Sequence, residues 1–192
     1  MKLHEAAISH LTEALKPRSY VRLIPVAYRS TPLGTGKSNA RFSSPTGSFD
    51  TLYAAQNLRT AVAETVIRDR FEGRDRRLLH VAEFKDRCAV DISAPKPLRL
   101  LDLRGDGCLK LGVSTDIARA KGWDESRRLA QHIHDHTSLD GLLYSSRLTG
   151  ENCIAVFGRG ISTGLTSNRV ADVLELRNLS NALQSLLVEL VF

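Results

Sequence analysis

A chain of 192 residues with 42% hydrophobic and 25% charged residues holds enough apolar side chains for one domain with a real core. Its longest apolar runs fall far short of a membrane span, and the opening MKLHEAAISHLTEALKPRSY lacks the long h-region of a secretory signal, so neither is expected. The net charge of +6 comes mostly from arginine, since only seven of the 27 basic residues are lysine; this favours bidentate contacts to phosphate or carboxylate, while 6% aromatics and the lack of a basic block disfavour direct nucleic-acid binding.

In chain order, Leu3, Ala6, Ala7, Leu11 and Leu15 fit an amphipathic helix over residues 3–16, stopped near Pro17. YVRLIPVAYR reads as a strand, STPLGTGKSNA as a Gly- and Ser-rich loop, and RFSSPTGSFD as a short strand and a turn. TLYAA is a short strand, and residues 58–71 have helical spacing through Leu58, Ala61, Val62, Thr65 and Val66. LLHVAEF, CAVDI and PLRLLDL follow as three strand-like runs. STDIARAKG is a short helix closed by Gly122, and DESRRLAQHIHDH a longer one with Asp124 as N-cap. DGLLYSSR and CIAVFG are strands joined through LTGEN as a hairpin, and the end is a helical tail over about residues 180–192. Strands outnumber helices without alternating with them, which predicts an α+β fold.

Three features are weighed for chemistry. GTGKS suggests a phosphate loop, but Thr31 stands where the pattern needs its first glycine, and no helix is expected after Ser38. In HIHDH, His132 and His136 lie one helical turn apart; without a third ligand or the HExxH glutamate, a solvated helix end is the better reading, and no metal is expected. Cys88, Cys108 and Cys153 form no CxxC pair and are expected as reduced, buried thiols in a cytoplasmic protein.

More informative are polar residues set in apolar segments: Arg29 in VAYRS, Arg41 in NARFSS, Tyr53 in TLYAA, Glu64 in TAVAETVI and Ser146 in GLLYSSR. A charge at the edge of a core costs several kcal/mol, on the order of 3–5, unless it is paired or used. Their spread over separate elements points to one shared pocket. A structural alternative makes Glu64 an exposed helix position paired with Arg68 at i+4.

These residues resemble the RES domain, a family named for its Arg, Glu and Ser, over about residues 20–160. Tyr28-Arg29, Arg41-Phe42, Tyr53, Glu64 and Tyr144-Ser145-Ser146 stand where the family has its YR pair, its GGRWN-like segment, a strand tyrosine, a glutamate eleven residues on, and a Tyr-x-Ser segment. Asn39-Ala40 replace the two glycines and Phe42-Ser43 the Trp-Asn. Either Ser145 or Ser146 fits the family serine, the register favouring Ser146.

The resemblance implies an ADP-ribosyltransferase-like core of mainly antiparallel strands with flanking helices, forming a single domain over residues 1–192. It implies the toxin of a bacterial toxin–antitoxin pair with NAD as substrate, cleaved at the nicotinamide–ribose bond with water or inorganic phosphate as acceptor. The implied partner is a helical Xre-type antitoxin with a DNA-binding domain; an oligomer stays open. Glu64 would stabilise the oxocarbenium-like state, Ser146 would hydrogen-bond the ribose or orient Glu64, Arg41 and Arg29 would hold the pyrophosphate, Tyr53 would stack near the nicotinamide, and Tyr28 and Asn152 would complete the substrate pocket. Transfer of ADP-ribose to a protein and a catalytically inactive binding module are the alternatives.

Overall fold

The computed structural model describes residues 2–36, 38–119 and 121–192, apart from the side chains of Arg119 and Thr163. Its frame is a sheet of eight strands: β1 (Thr12–Leu15), β2 (Tyr20–Pro25), β3 (Thr51–Ala55), β5 (Arg87–Ser93), β6 (Leu98–Asp102), β7 (Gly141–Ser145), β8 (Asn152–Phe157) and β9 (Thr166–Asp172). Their order is β1-β6-β7-β8-β3-β2-β5-β9, and every pair is antiparallel except β6–β7. Two short strands, β4 (Leu78–His80) and β10 (Glu189–Val191), pair in parallel as a separate sheet. The helices are α1 (Ala6–His10), α2 (Leu58–Val62), α3 (Ala82–Lys85), α4 (Gly107–Leu111), α5 (Asp116–Arg119), α6 (Asp124–His136), α7 (Gly158–Gly164) and α8 (Leu179–Ser185). The α+β expectation holds.

In the inner strands β3, β7 and β8 both faces are buried, so they read as continuous hydrophobic runs rather than alternating ones. One face, with Val21, Leu23, Ala55, Leu142 and Ala155, packs against α2, α6 and α8 through Val62, Leu129, Ile133 and Leu183. The other gathers Ile24, Leu52, Val90, Leu100, Leu143, Ile154 and Val156 into a second core drawn mainly from the strands, as a sheet curling over itself requires. Gly141 permits the closest strand approach, since a Cβ there would stand 2.1 Å from the Ala155 carbonyl oxygen.

One join in the sheet differs from the rest. β2 and β3 are linked by the single pair Val21–Ala55, whereas β2 runs alongside β5 from Tyr20 to Pro25, and β3 alongside β8 over its whole length. The sheet therefore opens between β2 and β3.

Several local expectations are corrected. The 3–16 helix is a five-residue helix followed by β1, because Thr12–Leu15 find an antiparallel partner in Leu98–Leu101. The C-terminal tail is helical only to Ser185; Leu187 takes a positive φ of 55°, and β10 then pairs with β4. LLHVAEF is strand only to His80 and then forms α3. The strand through YVRLIPVAYR stops at Pro25, after which Val26–Tyr28 form a 3-10 turn. The expected strand in RFSSPTGSFD is a series of turns, and Asp124 is the first residue of α6 while Trp123 takes the cap position. β9, a largely polar edge strand, carried no apolar alternation to announce it. The Lys37 of GTGKS lies outside the described residues, and no helix follows Ser38.

Candidate active site

The helix that carries Glu64 starts at Asn57, whose side chain accepts from the Thr60 amide at 2.9 Å and satisfies one of the open N–H groups of the first turn. After Val62 the helix widens into a π-turn over Ala63–Ile67, closed by the Arg68 amide donating to the Ala63 carbonyl. Such widenings recur at functional sites because they re-aim side chains within a packed helix. Here Ala63, Val66 and Ile67 stay buried while Glu64 and Thr65 line a cavity of about 530 Å³. Arg68 ends the turn with φ 48°, and its Nε donates to the Glu64 backbone carbonyl. The hydrogen bond between Arg68 and Glu64 is thus to the main chain, and the Glu64 carboxylate points elsewhere.

It meets Ser146. The Ser146 hydroxyl donates to Glu64 Oε1 at 2.6 Å and accepts from the backbone amides of Leu148 and Thr149, both at 3.1 Å. A hydroxyl has one proton and two lone pairs, so with two amides donating to it the proton is committed to the carboxylate. Ser146 is 2% exposed and begins the β7–β8 turn. Ser145 instead stands opposite Asn152 in the ladder. The turn is held to α2 by the hydroxyl pair Thr60–Thr149 at 2.9 Å.

Around this pair lie Arg41, Tyr53, Tyr144 and Cys153. Arg41 is half-buried and donates to the Ile117 carbonyl at 3.4 Å; burial holds its guanidinium below the usual arginine range, opposed by nearby Tyr144 and Glu64. The Tyr53 hydroxyl accepts from the Phe42 amide at 3.2 Å and pairs with Ser43. Burial raises the Tyr53 phenol, pushes the Tyr144 phenol well above the usual range, and pushes the Cys153 thiol up to about 12 with the Glu64 charge adding. All three therefore sit in the site as neutral groups at physiological pH.

The cavity lies where the sheet opens. β2 contributes Val21, Arg22 and Leu23, and β3 contributes Tyr53, Ala54 and Ala55. Among the described residues, five cations (Arg22, Arg41, Arg68, Lys121, Arg147) line it against two carboxylates, Glu64 and Asp69. Asp69 pairs with Arg147, which holds its carboxyl below the usual range. The volume and cationic excess suit a small anionic ligand.

Of the residues singled out from sequence, Glu64, Ser146, Arg41 and Tyr53 come together. Tyr28 and Arg29 do not: the chain leaves β2 at Pro25, Tyr28 is 59% exposed, and Arg29 pairs with Asp172 of β9 beside Cys88. Asn152 also stands off the cavity, with its Oδ1 accepting from Arg104 at 3.2 Å. The arginine that sequence reading missed is Arg22, which lines the cavity from within β2 and donates to the carbonyls of Pro32 and Gly34. The missing signal was the one used for the others, a charge inside the apolar run YVRLIP. The HIHDH histidines pack together: His132 stacks on His136, and His134 on Phe49.

Three comparisons bear on this geometry. The model of a family described as the RES domain matches residues 14–176. A probable toxin, y4kH of Sinorhizobium fredii, is 35% identical over 83 residues, which cover 42% of this chain and 65% of that relative's length. The crystal structure of the M. tuberculosis MbcT–MbcA toxin–antitoxin complex contains a chain similar in fold, with a TM-score of 0.68 at 16% identity, covering 95% of each chain.

Proposed function

Because the chain belongs to the RES domain family, we propose that it is the toxin of a toxin–antitoxin pair and acts by cleaving the nicotinamide–ribose bond of NAD. The observation that carries the reading is the Ser146–Glu64 pair at the cavity, a carboxylate fixed by a hydroxyl whose other contacts are all main chain.

The chemistry follows from the residue types. As the C1′–N bond breaks, its electron pair moves to the nicotinamide nitrogen, which loses its positive charge and so leaves without a general acid. The ribose becomes oxocarbenium-like, as in glycoside cleavage. Glu64, held still by Ser146, would stabilise that charge without reorganising. The oxygen of water or of inorganic phosphate would then bond C1′, giving its proton to solvent or to Glu64. Arg41 would hold the pyrophosphate through its planar fork. Arg22, also at the cavity wall, takes the place in this reading that the sequence had given to Arg29.

The substituted GGRWN-like segment does not leave the site unformed. Phe42 is fully buried, packs edge-on to Tyr144 at 5.0 Å, and its amide holds the Tyr53 hydroxyl. That supports an enzyme over an inactive binding module. The proposed partner is a helical, Xre-type antitoxin covering the cavity, and the proposed setting is the cytoplasm; no described helix is long and apolar enough to cross a membrane.

The test is NAD loss by the purified protein, with and without phosphate, beside Glu64→Gln. Loss by the wild type alone is expected, with the variant slower by about a hundredfold or more. Phosphate dependence separates phosphorolysis from hydrolysis. Equal turnover by a folded Glu64→Gln protein would remove the carboxylate from the mechanism.

A further inference from the structure

The geometry points to a purine subsite at Trp123, which lines the same cavity as Glu64 and Arg41. The inference rests on the NAD reading above and deepens it by giving the substrate a direction in the cavity.

Trp123 is the single tryptophan of the chain. It is half-buried, caps α6, and lines the same cavity as Glu64. The other two aromatic side chains of the cavity are already occupied. Tyr144 is buried and packs edge-on against Phe42, and the Tyr53 hydroxyl is fixed by the Phe42 amide and Ser43. Among the described residues, no ring and no cation is stacked on Trp123.

The α5–α6 corner that carries Trp123 is tied to the site. The Ile117 carbonyl accepts from Ser126 Oγ at 2.5 Å and from Arg41 Nη1 at 3.4 Å. Arg41 thus spans two groups, lying in the field of Glu64 while touching the corner that leads to Trp123. A dinucleotide has its two bases at opposite ends of one pyrophosphate. With the reacting ribose at Glu64 and the pyrophosphate at Arg41, the non-reacting base falls toward Trp123. Ala40 and Ala118, which also line the cavity, present only methyl groups there. An indole face recognises a base by stacking, without a hydrogen-bond code.

The experiment uses the full chain with Glu64→Gln to block turnover, and three probes: NAD, nicotinamide mononucleotide and AMP. Nicotinamide mononucleotide keeps the reacting bond but has no purine. In the Trp123 protein, NAD and AMP quench the single-tryptophan fluorescence and nicotinamide mononucleotide does not. By calorimetry, adding Trp123→Ala weakens NAD about tenfold to a hundredfold and leaves nicotinamide mononucleotide unchanged, while Trp123→Phe keeps most of the NAD affinity. Equal NAD affinity with and without Trp123, or equal weakening of both nucleotides, overturns the purine subsite and leaves the NAD reading standing. Failure of the Trp123 protein to bind either nicotinamide nucleotide overturns the NAD reading and the subsite with it. The AMP quench needs no change at Trp123, so misfolding of the Ala variant cannot mask the answer.

Discussion

Removing one oxygen atom tests the core of the proposed mechanism. Ser146→Ala deletes the 2.6 Å hydrogen bond to Glu64 and leaves the Leu148 and Thr149 amides without their acceptor. A hydrogen bond to a charged group contributes about 1.5–3 kcal/mol. If that energy serves to orient the carboxylate, kcat falls roughly tenfold to a hundredfold, at about 1.4 kcal/mol per factor of ten. KM moves little, because Ser146 is 2% exposed and buried behind Glu64. Stability falls as well: a buried amide left unpaired costs about 1–3 kcal/mol, and for a chain of this size each kcal/mol lowers Tm by about 2–4 °C. The assay is steady-state NAD loss for Ser146→Ala, Glu64→Gln and the double variant, with thermal melts of each. Because the two groups act as a unit, Ser146→Ala is expected to cost almost nothing further once Glu64 is Gln. Full activity in Ser146→Ala, or independent and additive losses in the cycle, would refute the idea that the serine works through the carboxylate.

Other expectations follow from the same site. Arg41→Ala should weaken NAD binding in titration calorimetry more than Arg41→Lys, since lysine keeps the charge but loses the fork; equal losses would argue against a bidentate contact. Thr60→Val, which removes the hydroxyl partner of Thr149, should lower stability by about 1 kcal/mol and reduce kcat by loosening the turn that holds Ser146, with Thr60→Ser restoring both. The Cys153 thiol is raised to about 12 from an ordinary value near 9. The folded state therefore favours the protonated thiol, so its contribution to stability is complete below pH 9 and fades as pH rises toward 12. Melts across that window should show a steeper alkaline loss for the wild type than for Cys153→Ala. A thiol reagent should modify none of the three buried cysteines until the protein is unfolded.

What the sequence could show divides along physical lines. TLYAA and the helix after it were legible because apolar spacing is a local signal, and the eleven-residue step from Tyr53 to Glu64 fell on the elements that bring both to one cavity. The π-turn that frees the Glu64 carboxylate from Arg68 was not legible, since it depends on how the helix packs. Arg29 stands out in VAYRS and matches the family's Tyr-Arg pair, but Pro25 ends the ladder and the residues after it leave the sheet as a 3-10 turn, while Arg22 lines the cavity from within β2. Thr12–Leu15 and Glu189–Val191 were read as helix because their strand partners lie dozens of residues away, at Leu98–Leu101 and Leu78–His80. A pairing of that range leaves no local periodicity. The same holds for β9, whose ladder to β5 is backbone only in its sequence demands.

The parting of β2 from β3 after Val21–Ala55 gives the molecule two strand rims in its interior rather than at its periphery. A rim at the outside of a sheet invites another chain to add a strand and must be blunted. Rims that part inside a sheet leave a wall on either side of the gap, and residues of both strands, Arg22 from β2 and Tyr53 from β3 among them, line the cavity between them.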